Sequence, residues 1–342
     1  MIELGLTSRC REIALLRRMA EQALERFAID PVTASLLQHY CNTTFSVSCA
    51  DGSRYALHIY RMFDETIPVA RRTDWIESEL WWLDHVVGAV GISAPAPIRT
   101  LDETLVVTLP THTKSGVMLP CVLFRWVDGR FARRRLLSEQ LRRIGRLTGR
   151  LHEDSSHLVT PPGFCRGQVD LADAENEEVI AWILADVHSK MAERVARQVL
   201  QHVRGAHELL GSEPTTFGVI HADVHQKNYL FRRGQVALID FGDCGWGHYL
   251  YDLAVTISQI RRQPNAIELR QSLLVGYREI RELTVEHEDL IQAFVLLRHV
   301  QDLAGFLQAP TELPNPVWKA HADSSLRELQ RDIEIAPKSG LV

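Results

Sequence analysis

The sequence predicts an α+β chain built as two lobes, a small β-rich one followed by a larger, mainly helical one. Three observations carry this expectation. The length of 342 residues is about two domains' worth at roughly 150 residues per domain. Alternating runs rich in Val, Ile, Phe and Tyr dominate the early chain, and helical spacing dominates after Asp128-Gly129. A strand-rich island, Val219–Phe241, then interrupts the helical part. The boundary is placed between residues 127 and 128, giving lobes 1–127 and 128–342, with the seam between them a natural ligand cleft.

Arg9–Phe27 carries Ile13, Leu16, Ala20 and Leu24 at helical spacing. Thr43–Cys49 and Arg54–Arg61 flank Asp51-Gly52, the pattern of a β-hairpin. Thr73–Val87 returns to helix, with Trp75, Leu80, Leu83 and Val87 apolar. Short strands are expected around Ile98 and over Leu105–Leu109, and a longer one over Val117–Val127. The first lobe is thus a small sheet with a helix inserted after its first hairpin. Eight arginines between Arg130 and Arg150 then share a segment with the apolar stripe Leu141, Ile144, Leu147 and Leu151. That reads as a helix with a solvated arginine face, the alternative being an anion-docking surface. Pro161-Pro162-Gly163 marks a loop, and helix is expected onward to about Gly211 and again from Tyr251 to the end.

Composition narrows the function classes. Hydrophobic residues make up 46% and charged residues 24%, which excludes disordered and fibrous chains. Lys+Arg 38 against Asp+Glu 43 leaves −5, so nucleic acid is not an expected partner. No apolar run approaches the ~20 residues that span a bilayer, and Glu3, Arg9, Arg11 and Glu12 stand where a signal peptide is apolar. No membrane partner is expected, and the location is expected to be cytoplasmic. Six cysteines without a Cys-x-x-Cys pair read as reduced thiols, not as a disulfide framework or zinc site.

The chemistry concentrates in the island. It reads His221-Ala-Asp223-Val-His225-Gln-Lys-Asn228, a run to Phe231, a polar turn around Gly234, and a run ending Asp240-Phe241-Gly242-Asp243. The runs flanking Gly234 form an expected hairpin that brings Asn228 and Asp240 together at its open end. An amide carbonyl and a carboxylate there are hard oxygen donors suited to Mg²⁺ with phosphate oxygens. Asp223, five residues before Asn228, is placed to accept a hydroxyl proton. Phosphoryl transfer needs little more.

His221-x-Asp223-x-x-x-x-Asn228 followed by a strand ending Asp240-Phe241 resembles the catalytic loop and metal motif of the aminoglycoside phosphotransferase and choline kinase superfamily. The resemblance continues through Gly247 and Asp252-Leu253-Ala254. It implies a protein-kinase-like fold, with an N-terminal nucleotide-binding lobe and a C-terminal catalytic and acceptor-binding lobe. It also implies a kinase that moves the γ-phosphate of ATP (or GTP) to a hydroxyl of a small molecule, assisted by Mg²⁺. Asp223 then is the catalytic base, and Asn228 and Asp240 are the metal ligands. Asp243 either touches the metal shell or substrate or caps the next turn. His225 contacts phosphate or holds the loop. Asp252 braces the catalytic loop and His221 packs behind it.

By the same resemblance, the strand ending near Val127 is the link between lobes. Phe124 closes the adenine pocket, and backbone groups of Arg125 and Val127 bond the base. A short polar turn, Cys41-Asn42-Thr43-Thr44, takes the place of a glycine-rich phosphate loop, or is an ordinary strand-initiating turn. Glu79 matches the acid that pairs with a basic residue on the second hairpin strand, but His58 stands where relatives carry Lys or Arg. Arg61 falls on the other side by strand alternation. His58 either clamps the phosphates as an imidazolium or packs as a neutral ring. A weak enzyme, a different nucleotide pose and a pseudokinase all stay open at this point.

The acceptor is less legible. Asp289, Asp302 and Glu312 are mixed with Arg298, His299 and Lys319 in the C-terminal region, which does not argue for a polycation. Asp240–Asp243 followed by Gly247–Ala254 looks closer to metabolic members of the superfamily, such as homoserine and hydroxylysine kinases. A protein Ser/Thr kinase of the stress-response type and a non-catalytic nucleotide binder are the alternatives.

Overall fold

The computed structural model describes residues 6–39, 42–61, 69–111, 118–132, 135–170, 190–308 and 331. Two compact units emerge. The first comprises Met1–Gly129 together with Thr160–Arg166 and Ala237–Gly242; the second comprises Arg130–Val159, Gly167–Val236 and Asp243–Val342. Among the described residues no helix is long and apolar enough to cross a membrane.

In the first unit, helix α1 (Leu6–Leu24) is followed by strands β1 (Pro31–His39), β2 (Thr43–Cys49) and β3 (Arg54–Ile59). Helix α2 (Val69–His85) and strands β4 (Val107–Pro110) and β5 (Met118–Arg125) complete it. The strands form one antiparallel sheet in the order β1-β2-β3-β5-β4. Period-two patterning decides which face is core. Phe45, Val47, Leu57, Ile59, Cys121 and Leu123 bury against Leu16, Met19, Ala20, Ala23, Leu24 and Phe27. Thr44, His58 and Val122 are partners across β2, β3 and β5 on the opposite face. Two elements differ from expectation. β1 was not foreseen, because irregular register between Pro31 and Thr33 and between Leu36 and Gln38 breaks the alternation that marks a strand. The strand expected around Ile98 is reduced to a bridge between Pro97 and Phe124, since Pro95 and Pro97 have no N–H to donate.

The second unit holds α3 (Ser138–Ser155), α4 (Lys190–Leu210), β6 (Phe217–Ile220), β7 (Tyr229–Arg232), β8 (Gln235–Leu238), β9 (Gly245–His248), α5 (Tyr249–Ile260), α6 (Ala266–Arg278) and α7 (Val285–Gln308), with β8 carrying the chain into the first unit. The stripe Leu141, Ile144, Leu147 and Leu151 on α3 is buried. Its arginines are paired at the surface, Arg142 and Arg146 with Glu279 and Arg143 with Glu139. The two helices touch backbone to backbone: a Cβ at Gly276 would lie 1.9 Å from the Arg142 carbonyl oxygen, and one at Gly145 2.0 Å from that of Leu273. β9 pairs antiparallel with β6 and was also not foreseen. Gly245 and Gly247 carry no strand signal, yet a Cβ there would collide with the Gly167 carbonyl at 2.5 Å or with Ile220 at 2.6 Å. α5 is apolar and buried nearly all round, the mark of a central helix. Expectations for Cys41, Val117, Glu312, Lys319, residues 171–189 and the helix beyond 308 fall outside the described residues.

Candidate active site

The catalytic loop hangs on one buried carboxylate. β6 ends at Ile220, and Ala222 sits at φ 66, a left-handed conformation unusual for a residue with a Cβ. Asp252, in the first turn of α5 and fully buried, accepts the Ala222 N–H at 2.7 Å, the His221 N–H at 3.1 Å and His152 Nε2–H at 3.0 Å. Burial pushes His152 below its ordinary pKa, so the ring is neutral and its Nδ1 accepts from Tyr277 Oη at 3.1 Å. Thr256 and Tyr229 hydroxyls both donate to the Val224 carbonyl, and the Asp223 N–H donates to His221 Nδ1 at 3.2 Å. Backbone groups from His221 to Val224 are thereby fixed, which is what holds a strained backbone in place.

Asp223 projects from this frame. Asn228 Nδ2 donates to its Oδ2 and to its backbone carbonyl, both at 2.9 Å. His225 Nε2 lies 3.3 Å from Oδ2, and Arg298 Nη2, on α7, donates to Oδ1 at 2.8 Å. Burial works to raise the Asp223 carboxyl, but the charges of His225 and Arg298 outweigh it and hold the group below the usual carboxylate range. It is a permanent anion at neutral pH, better suited to orient a hydroxyl than to strip its proton early. Only the NH₂ end of Asn228 can donate to two oxygens, so its Oδ1 is the end left for a cation. Arg298 also lies 2.8 Å from Asp302 through Nε. Sequence reading placed Arg298 only in a mixed-charge region; 75 residues separate it from Asp223, and no local pattern links them.

The remaining candidates lie in the first unit, apart from Asp243, which is exposed in the turn before β9. Asp240 sits at φ 67, a second strained non-glycine residue. Glu79 is buried and accepts from Tyr60 Oη at 3.0 Å. His58 stacks on Tyr60 at 4.6 Å and meets the edge of Phe124 at 6.4 Å. Its Nε2 is buried with no hydrogen-bond partner among the described residues, and burial pushes its pKa down to about 4. An imidazolium clamp near neutral pH is therefore not what this environment favours; the neutral ring is.

Three other expectations need correction. Thr43 falls on the α1 face, buried and bonded to His39 Nδ1 at 2.9 Å, so alternation turns it away from His58. Asn42 Oδ1 is taken by the Arg61 N–H at 2.9 Å, the strand-initiating reading of that turn, which leaves Thr44 on the His58 face. The Arg125 N–H donates to the Ala96 carbonyl at 2.8 Å, so it is not a donor for a base. Arg61 pairs with Glu12 of α1, as alternation requires.

The His58 environment carries a pH prediction. A folded-state pKa of about 4 against ~6.5 unfolded means that the unfolded chain binds more protons between those values. Stability is then full above pH 6.5 and falls as pH drops towards 4. Between pH 7.5 and 5, wild type is expected to lose about 1–2 kcal/mol more than His58→Gln, allowing for partial solvent access of the ring. Urea unfolding of both proteins at the two pH values measures it; equal losses would contradict the neutral buried ring.

One further cluster, Asp170, His207 and His248, has ligand-like spacing. His248 Nδ1 lies 2.6 Å from Asp170 Oδ2 and Nε2 3.0 Å from the Gly211 carbonyl. Both ring nitrogens of His248 are thus engaged by protein oxygens, an arrangement closer to a brace than to an open metal site. The cluster is a buried brace.

A five-stranded antiparallel sheet in one unit and a mainly helical second unit carrying the His221–Asn228 loop define a protein-kinase-like fold. The chain belongs to the phosphotransferase enzyme family, whose pattern matches residues 40–287. It is a kinase of the kind that phosphorylates hydroxyl groups of small molecules. It is 23% identical over 286 residues to the amicoumacin kinase of Bacillus subtilis (strain 168), covering 79% of each chain. Its fold is similar to that of amicoumacin kinase hAmiN in complex with AMP-PNP, Ca²⁺ and Ami, with a TM-score of 0.74, 20% identity and 93% of each chain covered. It is also similar to a microcompartment-associated aminopropanol kinase, with a TM-score of 0.67, 25% identity, and 93% of this chain and 96% of that one covered.

Proposed function

We propose that the protein transfers the γ-phosphate of ATP, or GTP, to a hydroxyl of a small acceptor, with Asp223 receiving the hydroxyl hydrogen bond. The observation that carries this reading is the Asp223 carboxylate itself, kept ionised by Arg298 and His225 and fixed by Asn228. Phosphoryl transfer asks mainly for such positioning and for charge neutralisation. Asn228 Oδ1 and the Asp240 carboxylate are hard oxygen donors of the sort Mg²⁺ takes, and the similar hAmiN structure holds AMP-PNP and Ca²⁺. When bound, the cation would neutralise phosphate charge. His58 and Phe124 share a face of the sheet with Thr44, and the orphaned Nε2 of His58 supports a ligand against that face. Val127 supplies the base contact, while Asp243 and His225 stand as substrate or loop residues. The acceptor is read as a small amine-bearing alcohol, in keeping with the Asp302 carboxylate beside Arg298 and with the aminopropanol and amicoumacin kinases that this fold resembles.

ADP release, measured with ATP or GTP against amino alcohols, hydroxy amino acids, aminoglycosides and a Ser/Thr peptide, tests the reading. Turnover with a small hydroxylated amine is expected; turnover with the peptide alone, or nucleotide binding without turnover on any acceptor, would overturn it. For the metal, Asp240→Ala is expected to weaken Mg·ATP binding by roughly tenfold or more, because it removes the principal charged ligand. Asn228→Ala should be milder. Equal Mg·ATP affinity of Asp240→Ala and wild type by calorimetry would sink the metal assignment.

A further inference from the structure

Phosphate groups bound next to Asp240 need a cation other than the metal, and position 58 does not supply one, since its ring is buried and neutral. Glu79 is buried as well, beside the Tyr60 hydroxyl. The first unit contains a candidate outside the sheet and outside every motif considered above. Arg166, at the end of the Thr160–Arg166 segment that belongs to this unit, is 6% exposed. Its Nη2 donates to the Gly242 carbonyl at 2.5 Å, two residues beyond Asp240, and its Nη1 to the Trp75 carbonyl at 3.3 Å, one helical turn before Glu79. The guanidinium lies 4.3 Å over the Trp75 ring. It is therefore pinned between the α2 turn that carries Glu79 and the segment that carries Asp240. The electrostatics of Tyr60 agree. Burial first, then Glu79 and Asp240, hold its hydroxyl protonated, and Arg166 acts the other way. Glu79, Asp240 and Arg166 thus all act on the Tyr60 hydroxyl.

We infer that Arg166 supplies the positive charge at the phosphate end of the nucleotide, in place of a cation at position 58. The inference rests on the nucleotide reading above. A guanidinium suits the role, because it stays charged at any working pH and presents a planar fork of donors to phosphate oxygens. Its two backbone acceptors and the Trp75 ring fix its position.

Affinities of ATP, ADP and adenosine for wild type, Arg166→Met, Arg166→Gln and His58→Lys test it. Arg166→Met and Arg166→Gln are expected to weaken ATP roughly tenfold or more, ADP less, and adenosine by under about twofold. In the Arg166→Met background, His58→Lys should restore at least about threefold of the lost ATP affinity, because it returns a cation to the face that Glu79 serves. His58→Lys in the wild-type background should gain less ATP affinity than it restores in Arg166→Met, since the site already holds its charge. A structural role predicts instead that ATP, ADP and adenosine weaken alike, with no rescue by His58→Lys; that result overturns the inference. Where neither Arg166 variant folds, a gain of about tenfold in ATP affinity from His58→Lys alone overturns it as well. A wild type that binds no nucleotide would refute the functional reading, whereas wild-type binding retained in Arg166→Met would refute only Arg166.

Discussion

Asp223→Asn is expected to lower kcat by ~10²–10⁴-fold while ATP affinity stays within about threefold of wild type. The substitution keeps size and shape but removes the anion that accepts the acceptor hydroxyl. It also breaks the charge balance of the loop. Arg298 keeps only Asp302 as a carboxylate partner, at 2.8 Å, and Asn228 Nδ2 keeps the 223 backbone carbonyl at 2.9 Å but loses a charged acceptor. The frame beneath is unaffected, because His221, Ala222 and His152 hang on Asp252. The effect should therefore appear in kcat and not in stability. Because the charges of His225 and Arg298 hold Asp223 ionised, activity should show no loss assignable to Asp223 until the pH falls below the ordinary carboxylate range. Single-turnover measurements together with an ATP titration decide it. Wild-type turnover in the variant would remove Asp223 from the chemistry.

Arg298→Leu should separate the two halves of this argument. Losing the guanidinium leaves burial to push Asp223 upward, and the acidic limb of the activity profile should move to higher pH. The sign follows from the carboxylate, whose active form is the anion. An acidic limb that does not move would show that Arg298 acts only in packing.

How far the sequence reaches is set by the range of the interactions involved. The pairing of Asp223 with Asn228 and the β7–β8 hairpin were legible because both are local in sequence. The alternation of β2, β3 and β5 was legible for the same reason, and it correctly separated Arg61 from His58. What escaped depends on contacts between distant residues. Arg298 reaches Asp223 across 75 residues, and Arg166 meets the Trp75 carbonyl across 91; neither pairing leaves a periodic trace. β1 and β9 were missed because a bulge or a glycine pair erases the pattern that alternation depends on. The inclusion of Thr160–Arg166 and Ala237–Gly242 in the first unit belongs to the same class. Polar turn residues misled in another way: Asn42 and Thr43 have the chemistry of a phosphate loop, but their side chains are spent on Arg61 and His39.

Asp252→Ala is expected to remove several kcal/mol of stability and most activity together. Three donors converge on that carboxylate, the N–H groups of His221 and Ala222 and the Nε2–H of His152, and all lie where water does not reach. Each orphaned buried donor costs roughly 1–3 kcal/mol, against a total stability of about 5–15 kcal/mol for a folded protein. Ala222 at φ 66 adds to the loss, because its backbone strain is held by the bonds to Asp252, with one from Arg298 to its carbonyl, and eases when the former go. Relaxation moves Asp223, and a displacement of about 1 Å at a reacting group is enough for roughly 10²-fold in rate. Asp252→Asn keeps one acceptor oxygen, so at least one of the three bonds survives, and it should lie between wild type and Asp252→Ala in both readouts. Urea unfolding combined with turnover of the folded fraction distinguishes a brace from a bystander. An Asp252→Ala protein within about 0.5 kcal/mol of wild type would mean that the loop is held by Thr256, Tyr229 and His221 alone. The carboxylate would then have no structural reason to be buried.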